Sequence, residues 1–98
     1  MTADRAPTLD DRLLLLHPDD NVAVARCDLP AGEPVTIGGE RAATSAPVPT
    51  GHKIAVRPIA AGGKVLKYGA PIGSATQPIR PGEYVHTHNV KSDYLPTY

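Results

Sequence analysis

One short phrase, an aliphatic residue, two others, Gly, two others and Val, occurs three times and constrains the fold of this chain more than any other feature. The copies are Leu29, Gly32 and Val35; Ile59, Gly62 and Val65; and Ile79, Gly82 and Val85. In the third, Arg80-Pro81-Gly82-Glu83 suits a type II turn, because Pro fixes φ at the second position and Gly supplies a positive φ at the third. Pro30-Ala31-Gly32-Glu33 and Ala60-Ala61-Gly62-Gly63 fit the same turn. Each phrase anchors an aliphatic side chain, reverses the chain over Gly and returns a Val to the same core. Three such reversals in 98 residues predict an all-β fold: a compact barrel of short strands with long loops and little helix.

The rest of the chain agrees with this reading. Leu13 to His17 is expected as a first strand, ended by Pro18 and an Asp-Asp-Asn turn, and Val22 to Cys27 alternates at period two. Asp19 or Asp20 could cap a short helical turn, but the following valines favour a strand. A strand is expected from His52 to Ile59 and a last one near Tyr84 to Val90. Residues 1–11 are polar and lack periodicity, which predicts a flexible N-terminal arm; residues 12–91 form the domain, and residues 92–98 a tail.

Composition excludes several classes. Ten basic and ten acidic side chains are scattered to a formal charge of zero, so no stripe exists to track a phosphate backbone, and nucleic acid is not an expected partner. The longest apolar run, Leu13 to Leu16, is far short of the roughly 20 residues of a membrane helix. Cys27 is the single cysteine, which rules out an internal disulfide and points to a buried, inert thiol in a reducing compartment such as the cytoplasm. With no Trp or Phe, the core must be built from Val, Ile, Leu and Ala.

Polar side chains that are costly to bury and useful in a site gather in three places: Gly51-His52-Lys53, Lys67-Tyr68-Gly69 and His86-Thr87-His88-Asn89. On a strand, His86 and His88 would share a face, about 7 Å apart along the chain, and could converge on a metal ion or a substrate. Asn89 adds a group that both donates and accepts. One lysine of the pair Lys53 and Lys67 could hold a carboxylate, while the other, its pKa depressed by burial or a nearby cation, could act as a base. Tyr68 could orient a hydroxyl or cap the core. Asp20 and Asn21 read as turn residues first, and His17 and His52 as structural. Walker loop, dinucleotide fingerprint, paired cysteines and serine elbow are all absent. A complete catalytic set is not visible, which implies a partner or a binding role.

Taken in order, His17…Asp20-Asn21, Gly51-His52-Lys53, Lys67-Tyr68-Gly69, Ile72-Gly73 and His86-Thr87-His88-Asn89-Val90 resemble the SAF-type domain of altronate and galactarate dehydratases and the small subunit of sulfolactate sulfo-lyase. The resemblance covers roughly residues 13–91. It implies a β-clip fold and a divalent metal, typically Fe2+ with Mn2+ as the alternative. It also implies a larger catalytic lyase subunit as partner, and elimination of water or sulfite from a small acidic substrate, a hydroxylated sugar acid or a sulfonate. By the same resemblance His86 and His88 are expected as metal ligands or acid and base groups. Lys53, Lys67, Tyr68 and Asn89, with His52 in second rank, are expected on substrate oxygens. The rival reading is a non-catalytic SAF module of the kind found in sialic acid synthases, antifreeze proteins and pilus or flagellar assembly factors, or an orphan paralogue without lyase activity.

Overall fold

The computed structural model describes residues 8–93. The three glycine turns form as their sequence dictates. Gly32, Gly62 and Gly82 have φ of 74°, 80° and 95°. Each turn is closed by the N–H of its fourth residue donating to the C=O of its first, Glu33 to Pro30, Gly63 to Ala60 and Glu83 to Arg80. Between and around the turns run β1 Leu13–Leu14, β2 Val22–Ala25, β3 Pro34–Ile37, β4 Glu40–Ala43, β5 Lys53–Ala55, β6 Lys64–Lys67, β7 Ala70–Ala75, β8 Tyr84–Val85 and β9 Val90–Lys91. No helix occurs among the described residues. The fold is all-β, as expected, and its strands are shorter than the sequence pattern proposed.

An antiparallel sheet in the order β1-β2-β5-β8 forms the middle layer. Alternation at period two sends its side chains to opposite faces. Ala23, Ala25, Ile54 and Val56 enter one core with Leu29, Val35, Ile37 and Val48, under the hairpin β3-β4. Val22 and Ala55 enter a second core with Ile59, Val65, Ala75, Ile79 and Val85, under β6-β7-β9. The aliphatic residues and valines of the repeated phrase thus supply both cores. Leu29 and Val48, then Ile59 and Ile79, form matching isolated bridges, so the second hairpin repeats the first.

The two hairpins differ at their outer edges. Part of the expected arm adds to β3: Leu9 bridges Ile37, Asp10 N–H donates to Thr36 C=O, and Gly38 N–H donates to Thr8 C=O. Arg12 fastens it, with a two-pronged contact to Asp10 at 2.8 and 2.7 Å and a third bond to Glu33 at 2.7 Å. Residues 8–11 are therefore held, while residues 1–7 of that arm and 94–98 of the tail lie outside the described residues. On the β6 edge, side chains do what backbone does on β3. Asn21 Oδ1 accepts the Leu66 N–H at 2.8 Å and its Nδ2 donates to Lys64 C=O at 2.9 Å, which satisfies an otherwise open strand edge. Cys27 is exposed rather than buried, because β2 ends at Ala25 and the chain bends outward before Leu29 re-enters the core.

Candidate functional site

His52 and Lys53 stand at the start of β5, which pairs with β8 through Lys53↔Val85 and Ile54↔Tyr84. This pairing sets His52 against Tyr84, a residue the sequence pattern did not single out. The Tyr84 hydroxyl and His52 Nδ1 are 2.6 Å apart. The His52, Tyr84 and His86 rings stack, with centroids 5.0 Å apart for His52–His86 and 5.5 Å for Tyr84–His86, and His88 tilts against Tyr84 at 5.6 Å. Tyr84 could have been suspected only from the strand pairing, since its sequence position marks it simply as the residue before Val85.

The expected strand through His86 and His88 breaks. β8 stops at Val85, residues 86–89 turn, and β9 starts at Val90. The cause is Asn89. It is fully buried, its Oδ1 accepts the His86 N–H at 3.0 Å, and its Nδ2 donates to Tyr84 C=O at 2.9 Å. A side chain that bonds the backbone three residues back competes with the ladder and closes a turn. His86 and His88 are exposed on this turn and do not share a strand face. Asn89, expected on substrate, has both polar atoms committed to the backbone and holds the histidine turn instead.

The Lys67 cluster sits on the two-residue loop of the hairpin β6-β7. Lys67 pairs with Ala70, and the loop residues Tyr68 and Gly69 have φ of 57° and 73°. The first hairpin uses Gly38 and Gly39 at these places, where a positive φ is free of Cβ strain. Tyr68 is the one non-Gly residue with a positive φ among the described residues, at a cost of about 1–2 kcal/mol. The loop is held from beneath by Asp20, fully buried, whose carboxylate accepts the Tyr68 N–H at 2.9 Å and the Gly69 N–H at 2.7 Å. The His17 ring lies so close under Gly69 that a Cβ there would come within 2.9 Å of it. Tyr68 itself is 68% exposed, and the Lys67 ammonium lies 5.7 Å from its ring centroid.

A cavity of about 200 Å³ lies beside Lys53 and the histidine turn, lined by Lys53, Ile72, His86, Thr87, Val90 and Ser92. Burial lowers the pKa of the half-buried Lys53 ammonium, and the like charge of Lys67 lowers it further. No carboxylate pairs with Lys53 among the described residues. The cavity therefore offers an incoming anion one cation, Lys53, with the imidazole of His86 and the hydroxyl of Thr87. A larger cavity of about 430 Å³, between Pro30, Pro47 and Pro49, lacks this chemistry, because its acidic residue Asp28 is already bonded to the Thr50 hydroxyl and N–H at 2.8 Å.

The resemblance implies a metal ion, and the donor set of the chain does not fit one by itself. No group of three His, Cys, Asp or Glu able to hold a metal comes together among the described residues. His52 and His86 stack face to face, and His52 Nδ1 is engaged by Tyr84. A divalent ion needs more ligands than the exposed His86 and His88 provide.

Of the residues proposed for the site, Lys53 and His86 line one cavity, Lys67 acts on Lys53 through its charge, and His52 and His88 join through Tyr84. Tyr68 stands at the loop tip. No helix among the described residues is long and apolar enough to cross a membrane.

Compared with known proteins, the family model for the altronate/galactarate dehydratase SAF domain matches residues 11–93. The altronate dehydratase of Escherichia coli (strain K12) is 42% identical over 78 residues, which are 80% of this chain and 16% of that protein. The Bacillus subtilis (strain 168) altronate dehydratase is 38% identical over the same length. The (2R)-sulfolactate sulfo-lyase subunit alpha of Chromohalobacter salexigens is 51% identical over 45 residues, 46% of this chain and 48% of that protein. The chain thus spans 16% of the length of the altronate dehydratases it matches.

Proposed function

The chain belongs to the altronate/galactarate dehydratase SAF domain family, and from that premise we propose that it is the small subunit of a metal-dependent lyase completed by a larger catalytic subunit. The reaction is elimination of water, or of sulfite, from a hydroxylated sugar acid or sulfolactate. One observation carries the reading: a half-buried lysine, Lys53, lines a small cavity with His86, no carboxylate among the described residues pairs with it, and the like charge of Lys67 adds to the lowering of its pKa that burial begins. Keeping like charges together is unfavourable unless an anion binds between them.

Such an elimination removes a weakly acidic proton next to a carboxylate and expels a poor leaving group. Lys53 and Lys67 hold the substrate carboxylate or sulfonate, which places the adjoining carbon near the imidazole of His86. Burial and repulsion bring Lys53 closer to neutrality than an ordinary lysine, so it can also exchange a proton with a bound hydroxyl. His86 and His88, exposed on their turn, supply proton-transfer groups at the rim. Asn89 keeps that turn in place. A metal, Fe2+ or Mn2+ by resemblance, would supply Lewis-acid stabilisation of developing negative charge only if ligands beyond the described residues of this chain completed its set.

The test is to express this chain with the larger lyase subunit, purify the pair without oxygen, load it with Fe2+ and assay altronate, galactarate and sulfolactate. A stable complex that releases a keto acid, or sulfite, is the expected result. A stable, iron-loaded complex that turns over none of the three would overturn the proposal in favour of a non-catalytic module.

A further inference from the structure

We propose that Asp20 is a positioning residue of the anion site: from its buried place beneath the β6-β7 loop it fixes Tyr68 in the left-handed conformation and so sets the place of Lys67, the residue that enters that loop. This rests on the reading of Lys53 and Lys67 as the anion-binding pair.

Burying a carboxylate is costly unless its oxygens are satisfied. Asp20 is fully buried, and its two oxygens go to two successive backbone amides, those of Tyr68 and Gly69. Charge-assisted bonds of this kind are stronger than neutral ones and set direction as well as distance. The first hairpin provides the internal control. Its loop, Gly38-Gly39, reaches the same positive φ with two glycines, and its Gly38 N–H goes to an ordinary backbone carbonyl, that of Thr8.

A hairpin of this shape therefore requires neither a carboxylate nor a tyrosine. The second hairpin carries both, a strained Tyr and a buried anion that holds it, at the loop bearing Lys67. Glycine at position 68 would remove the strain, so a strained Tyr68 held by a buried carboxylate points to a loop whose arrangement matters beyond closing the hairpin. His17 beneath Gly69 and Asn21 on the β6 edge brace the same loop from the β1-β2 connection. The connection read from sequence as a plain turn is thus the support on which the lysine loop rests.

The test uses galactarate as probe and NMR titration of the purified chain. Asp20→Asn keeps the size of the side chain but turns an N–H donor toward one of the two amides, so amide exchange at Tyr68 and Gly69 should accelerate. The expected result is a roughly tenfold loss of galactarate affinity for Asp20→Asn, a similar loss for Lys67→Met, and no further loss when the two are combined. Unchanged affinity in a folded Asp20→Asn variant, or losses that simply add, would overturn the positioning role while leaving the anion site standing. Failure of the unaltered chain to bind galactarate would instead remove the anion site, and this role with it. Should Asp20→Asn not fold, it is made in a Tyr68→Gly background, where the loop matches Gly38-Gly39 and no longer depends on Asp20; there Asp20→Asn should leave galactarate affinity unchanged, and a persisting loss refutes the proposal.

Discussion

Replacing Asn89 by Ala isolates the step that turns a strand into a histidine-bearing loop. Asn89 is fully buried and makes two bonds to the backbone, from the His86 N–H at 3.0 Å and to the Tyr84 C=O at 2.9 Å. A buried polar group left without its partner costs about 1–3 kcal/mol. The exposed side of His86 lets water reach one of the two, so the total should be about 2–4 kcal/mol. For a domain of this size each kcal/mol moves Tm by about 4–8 °C, giving an expected fall of about 8–32 °C in a circular-dichroism melt. Urea unfolding should show a lower midpoint with an unchanged slope. Asn89→Asp sharpens the argument: it keeps the acceptor for His86 but sets a carboxylate against the Tyr84 carbonyl, which raises the pKa of that carboxylate. The variant should therefore gain stability as pH falls through the raised pKa, where protonation restores a donor. A loss below about 0.5 kcal/mol for Asn89→Ala would refute the view that Asn89 holds the loop.

Gly73→Ala should be among the most damaging small substitutions, because its Cβ would overlap the Lys91 carbonyl oxygen and meet Val90 Cγ1 at 2.9 Å; a loss of more than about 2 kcal/mol by urea titration is expected, and tolerance would show that β7 and β9 are looser than described. Lys53→Met should stabilise the chain while weakening galactarate binding roughly tenfold, since it removes a partly desolvated cation from beside Lys67; a stability loss would contradict the unpaired state of Lys53. The parent chain should gain stability as pH rises toward the ordinary lysine pKa, because the unfolded state binds the Lys53 proton more tightly there. Arg12→Ala should cost about 1 kcal/mol at neutral pH, discounted for its partial exposure. The Arg12 guanidinium holds the Asp10 carboxyl well below the usual range, so this contribution is present above pH 3.8 and is lost only as pH falls through the depressed pKa; the gap between variant and parent should close in acid melts.

The glycine phrase made the turns legible because each needs a local conformation that Gly supplies, and Gly32, Gly62 and Gly82 all adopt it. The aliphatic anchors were legible for the same reason: burial follows from residue type, and Leu29, Ile59 and Ile79 are all buried. His86 and His88 were placed on one strand face because period two is a local rule, whereas the bond from Asn89 back to His86 overrides it. The bend after Ala25 that exposes Cys27 left no comparable mark in the chain.

By itself, then, the sequence determined an all-β chain of short strands, its three reversals, its aliphatic core and the family to which its polar clusters point. These are properties of single residues and their near neighbours. Only the tertiary structure decided that the middle sheet divides two cores, that Tyr84 stands among the histidines, that Lys53 is exposed to the charge of Lys67, and that Asp20 lies beneath Tyr68. Those contacts join residues tens of positions apart. They form because burying two aliphatic cores fixes the strand pairing first, and the pairing then brings polar side chains together that no local pattern could match.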